Sequence, residues 1–236
     1  MTMLVLVTTA YLAVVPIRGR QSYRRLLAAS ENDPTAATTF YRRNVALKRV
    51  LAVPVGLSLI IWPGLGPAHL GLAWPRGYLV AIGIWFVAIL AAALGLSLEL
   101  LRRRVRSGRT GYGLRRIRAL VPDRSGWCWA FAALISASIV EELVYRGLLI
   151  AAGRALGLSV TVALVLSSVL FGLAHLYQGP AGMIGTAVLG YVLGYWLLLT
   201  GSLLLAVVLH LLVNMRALAL FRIVAPVTTQ LASMPT

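Results

Sequence analysis

Acidic side chains are scarce in this sequence. Six Asp and Glu stand against 22 Lys and Arg in 236 residues, a formal net charge of +16. Lysine is scarcer still among the cations, because 21 of the 22 basic residues are arginine. There is one cysteine, Cys128, so an internal disulfide is excluded, and its Trp-Cys-Trp setting reads as a packing thiol rather than a nucleophile. Charged residues make up only 12% of the chain and hydrophobic ones 60%, with a mean hydropathy of +0.87, which excludes an ordinary water-soluble domain. No internal repeat or low-complexity tract is present, and HExxH is absent, which excludes the compact zincin arrangement. The positive charge does not point to nucleic acid: most arginines flank apolar runs, where anionic lipid headgroups are their expected counterpart.

What the chain has in abundance is apolar runs close to the ~20 residues a helix needs to cross a bilayer. They cover roughly residues 3–16, 45–62, 77–98, 127–156, 158–178, 181–199 and 202–224. The expected fold is all-α, a polytopic transmembrane bundle of about seven helices forming one membrane domain over residues 1–236. The first run is read as a retained anchor, since it lacks a basic leader. Residues 18 to 49 hold eight basic residues and residues 102 to 124 hold nine, whereas residues 63 to 76 hold only Arg76. The positive-inside rule therefore predicts a multi-pass protein with its N-terminus outside and its C-terminus in the cytoplasm. Abundant Arg, Ala and Gly beside a single Lys suits a GC-rich bacterial genome, hence a bacterial cell membrane.

Smaller features fit this frame. "SENDPTA" in the first loop reads as a turn. "GYGLRRIRALVPD" reads either as a short helix in the headgroup plane or as a solvated basic loop. Gly190 and Gly194 give a GxxxG spacing that lets a neighbouring helix approach. His69, in a Pro/Gly loop, is assigned no role.

Charge inside the oily runs carries the functional signal. Glu141, Glu142 and Arg146 fall near the middle of the 127–156 run. An ionised residue at the centre of a membrane helix costs about 2.5 to 3.5 kcal/mol, so these three must face protein or a wet cavity. Glu142 and Arg146, four apart, share a helix face and form a structural clamp, while Glu141 is turned about 100° away and has no partner on its own helix. It is therefore the carboxylate available for proton transfer. On two further helices Phe171 lies four before His175, and His210 four before Asn214, each pair on one face.

The motifs "EELVYR" at 141 to 146, "FGLAH" at 171 to 175 and "HLLVN" at 210 to 214 together resemble the pattern EExxxR, FxxxH, HxxxN of the CPBP family of intramembrane endopeptidases, the CAAX proteases and bacteriocin-processing or Abi proteins. The resemblance covers a catalytic core of about residues 127–220. It implies that Glu141 and His175 activate a water for attack on a peptide carbonyl, with His210 and Asn214 donating hydrogen bonds to the oxyanion. Glu142, Arg146 and Phe171 support them. The implied substrate is a membrane-associated protein or peptide.

Two histidines and a glutamate also form a possible zinc set, Glu141, His175 and His210. That set would leave only Glu142, already engaged with Arg146, as base, so a metal-free site is the favoured expectation. Two other functions stay open on the sequence: a proton-coupled membrane transporter, since buried Glu, His and Arg also build relays, and a non-catalytic protein of the bacteriocin-immunity type on the same bundle. Against the transporter stands the absence of a duplicated half.

Overall fold

The computed structural model describes the backbone of residues 2–61, 66–75, 77–106 and 117–232. Helix α1 (Thr2–Ala29) leads through a turn into α2 (Ala36–Ile61), and α3 (Gly77–Arg106) follows a short 3-10 turn at Pro67–Leu70. Helix α4 (Trp127–Glu141) passes without a break into a π-helical turn (Glu142–Leu148) and then α5 (Leu149–Ala155). The chain ends with α6 (Val160–Ala174), a 3-10 turn at Leu176–Gln178, α7 (Pro180–Thr200) and α8 (Leu204–Ala232). The protein is an all-α helical bundle.

Among the described residues four helical stretches are long and apolar enough to cross a membrane: Gly77–Arg104, Trp127–Ala155, Pro180–Thr200 and Leu204–Arg222. Val160–Ala174 is apolar but shorter, 15 residues where a full span was expected over 158–178. Helices α1 and α2 run further than their apolar cores. Arginine is a good helix former, so the basic stretches at 18–29 and 36–44 prolong the helices instead of forming loops. The turn between them was legible: Asp33 Oδ1 accepts hydrogen bonds from the Thr35 backbone N–H at 2.8 Å and its hydroxyl at 2.7 Å.

Most of "GYGLRRIRALVPD" lies outside the described residues; its last part turns toward the bundle, where Ile117 and Leu120 pack against a buried cluster that includes Tyr41, Val45 and Phe221. The Tyr41 hydroxyl donates to the Leu120 carbonyl at 2.8 Å, which ties the start of α2 to the approach to α4. Cys128 is exposed rather than packed inside the bundle.

Helix α4 packs on α2 and α8, and α6 packs along α7. Glycines set the closest approaches. A Cβ on Gly190 would lie 3.1 Å from Phe171 Cδ1 and 2.9 Å from Arg146 Nη2, so α7 reaches the polar centre of the bundle only because that position is bare. A Cβ on Gly147 would come 3.0 Å from the Leu70 carbonyl, where the 3-10 turn presses against the π-helical turn. His69 Nδ1 accepts the Gly66 N–H within that loop, a local turn contact.

Candidate active site

The three motifs converge. Glu141 ends α4, and the π-helical turn begins at Glu142. In this turn the Leu149 N–H reaches back five residues to the Val144 carbonyl, while the Tyr145 carbonyl accepts a short hydrogen bond from the Ser167 hydroxyl of α6. A side chain from the neighbouring helix thus supports the widened turn at the level where the charges lie.

Depth brings His175 to the same level. Glu141 is 14 residues before the end of α5 and His175 is 15 residues after the start of α6, about 21 and 22 Å from the shared 156–159 loop at 1.5 Å per residue. Because α6 stops at Ala174, its capping residue lies beside Glu141 instead of at the far surface.

Two layers of polar contacts result. The sealed layer is centred on Glu142, whose Oε1 accepts from Arg146 Nη1 at 3.0 Å and from His210 Nδ1 at 2.7 Å. Side-chain exposure is 0% for Glu142 and 1% for Arg146. The Arg146 guanidinium also stacks on the Phe171 ring, 4.0 Å from the guanidinium carbon to the centroid, and its Nε donates to the Gly190 carbonyl at 3.4 Å. Phe171 in turn meets Tyr145, His175 and His210 edge to face, at centroid distances of 5.1, 4.6 and 5.8 Å. The Phe of FxxxH is therefore the wedge that spaces the two imidazoles from the arginine.

The second layer is reachable from outside, with side-chain exposures of 12% for Glu141, 13% for His175 and 11% for Lys48. Glu141 Oε2 lies 4.0 Å from His175 Nε2 and 3.8 Å from His210 Nε2. Glu141 Oε1 forms an ion pair with Lys48 of α2. This partner was missed by reading Glu141 against its own helix alone. The signal was present: Lys48 lies inside the 45–62 apolar run, where a cation needs an acid as much as an acid needs a cation.

Hydrogen-bond chemistry fixes the ring orientations. A carbonyl only accepts, so His175 Nδ1–H donates to the Phe171 carbonyl at 2.8 Å; Glu142 likewise takes Nδ1–H from His210. In the neutral rings both Nε2 lone pairs then face Glu141 Oε2. Three acceptors around one point are complementary to a molecule that donates hydrogen bonds, as water does.

Asn214 is placed differently. One turn beyond His210, its Nδ2 donates to Ser138 Oγ at 3.0 Å and, more weakly, to the Leu134 carbonyl at 3.4 Å. Ser138 Oγ itself donates to Leu134 O at 2.9 Å, so the amide must present N–H groups there. The structure thus gathers Glu141, His175 and His210 at one point and holds the Asn214 amide of α8 against α4, one turn before Glu141.

The zinc set was tested on the same geometry. Donors about 2.0 to 2.2 Å from one tetrahedral ion lie roughly 3.3 to 3.6 Å apart, somewhat closer than the 3.8 and 4.0 Å seen here. A dication would also meet the Lys48 ammonium on the same carboxylate. Among the described residues no group of three or more His, Cys, Asp or Glu side chains is arranged to hold a metal ion.

Residues 123–216 match the family model for type II CAAX prenyl endopeptidase, Rce1-like. This segment is similar to the Rce1-like CAAX endopeptidases. It contains Glu141, Glu142, Arg146, Phe171, His175, His210 and Asn214, and it excludes Lys48. With its long apolar helices, the chain is an integral membrane protein that carries a segment similar to the CAAX endopeptidases. No curated protein and no solved structure matches it.

Proposed function

We propose that the chain is a glutamate-dependent intramembrane endopeptidase acting on membrane-associated proteins or peptides. The observation that carries this reading is the placement of Glu141 Oε2 at 3.8 and 4.0 Å from both imidazole Nε2 atoms, with Glu141 Oε1 engaged elsewhere. In the proposed step Glu141 takes one proton from a water whose second proton is held by His175 Nε2. The water oxygen bonds to the substrate carbonyl carbon, and the carbonyl π pair moves onto its oxygen. For this step His210 takes up a proton from solvent at Nε2, keeps Nδ1–H on Glu142 and donates Nε2–H to that oxyanion, and Asn214 adds the amide hydrogen now held loosely by Leu134. Collapse breaks the C–N bond as Glu141 returns its proton to the leaving amine. The clamp of Glu142 and Arg146 keeps His210 oriented throughout. The same reading places a bacterial membrane around the bundle, the C-terminus in the cytoplasm, and anionic headgroups against the basic stretches at 18–49 and 102–124.

The test is to incubate the purified protein with a membrane-anchored peptide library and detect cuts by mass spectrometry. Wild type should cleave, Glu141→Ala should not, and Asn214→Ala should be slower by about 10²–10³-fold, the effect of losing one oxyanion donor. Strong chelators should leave the rate unchanged. Equal product from wild type and Glu141→Ala overturns the assignment, and stoichiometric zinc in active protein overturns its metal-free form. Glu141-dependent uptake into vesicles without cut peptide would instead establish a transporter.

A further inference from the structure

Lys48 is the only lysine in a chain that uses arginine at its other 21 basic positions, and it is buried at 9% exposure on a helix outside the Rce1-like segment. Its ammonium meets Glu141 Oε1 and leaves Oε2 facing the two imidazoles. A glutamate side chain rotates about three torsions, so a carboxylate held at one oxygen is a different device from one held at neither. The anchor is itself fixed. Leu51 and Val55 of α2 are buried with Val144, Leu148 and Phe171 in one cluster, and Tyr41 is tied to Leu120, so the backbone on both sides of Lys48 is immobilised against the site. A compact ammonium on a thin stem can sit on a single oxygen, whereas a planar guanidinium frequently binds carboxylates through both.

We propose that Lys48 is a positioning residue for peptide hydrolysis, holding one oxygen of Glu141 so that the other is aimed between His175 and His210. The first half of the chain thereby contributes directly to the chemistry. This inference rests on the endopeptidase reading above, and its failure can be told apart from failure of that reading.

The test combines kinetics with a stability cycle on the full-length protein in detergent. Lys48→Met should lower kcat about 100-fold, the scale of effect expected when a reacting group is displaced by about 1 Å, with KM within threefold of wild type. Lys48→Ala should recover at least tenfold in kcat when n-propylammonium is added and not when propan-1-ol is added, because the missing element is a cation. Thermal unfolding of wild type, Lys48→Met, Glu141→Gln and the double variant should show that the two substitutions are non-additive. A Lys48→Met protein with kcat within threefold of wild type, or equal recovery with propan-1-ol, overturns the proposal and leaves Lys48 a packing cation. A non-additive cycle in a wild-type protein that cleaves nothing overturns the endopeptidase reading, and this inference with it.

Discussion

Two Arg–Glu pairs in this molecule have the same spacing and length and different surroundings. Arg103 and Glu99 on α3 are four apart with N···O at 3.0 Å, and so are Arg146 and Glu142. The first pair is 74% and 44% exposed, the second 1% and 0%. In the first, neither partner is enclosed by the protein. In the second, each charge is tolerable only because the other is present, and a third group, His210, depends on them. An i, i+4 acid–base spacing therefore says who can meet whom, and burial decides what the meeting is worth.

The sharpest way to break the comparison is to remove one acid from each pair. Glu142→Ala leaves the guanidinium buried without its carboxylate and should destabilise the protein by about 3–5 kcal/mol, read as a lower midpoint of thermal unfolding in detergent. Replacing both members with Leu and Met should return much of that stability and none of the activity, since His210 would still lack its Nδ1 acceptor.

An intermediate case lies just ahead of α4. Asp123 Oδ1 accepts from Ser125 Oγ at 2.8 Å and from the Gly126 N–H at 2.7 Å, and these bonds, the Ser125 hydroxyl first, hold its carboxyl below the ordinary carboxylate value. A group depressed on folding adds stability above its unfolded value and loses it as pH falls through the folded one. Asp123→Asn should accordingly unfold earlier than wild type at neutral pH, and the two melting curves should converge on acidification. The smallest effect belongs to the exposed pair: Glu99→Ala should shift stability by about 0.5 kcal/mol or less in the same assay.

Much of the site was legible because its parts are local. Glu142 with Arg146, Phe171 with His175 and His210 with Asn214 each lie one turn apart, and helical periodicity alone sets them on common faces. What crosses between helices was less so. Lys48 is 93 residues from Glu141, and no periodicity links them. The bond from His210 to Glu142 spans 68 residues, so Glu142 was assigned one partner where it has two. Asn214 lies one turn beyond His210, and its engagement with Ser138 depends on how α8 crosses α4. The π-helical turn carried no Pro or internal marker, and its support, the Ser167 hydroxyl, comes from another helix. Charge runs misled in the opposite sense, since stretches read as loops at 18–29 and 36–44 are helix.

The brevity of α6 has an effect on the surrounding solvent. About 22 Å of helix falls short of the ~30 Å hydrocarbon slab, and the chain after it tightens into the 3-10 turn at Leu176–Gln178, where Leu176 and Gln178 are exposed. A shallow aqueous bay on that flank would bring the hydrolytic reagent to the carboxylate without a pore, and water-soluble quenchers should then reach a label at Gln178 in lipid vesicles.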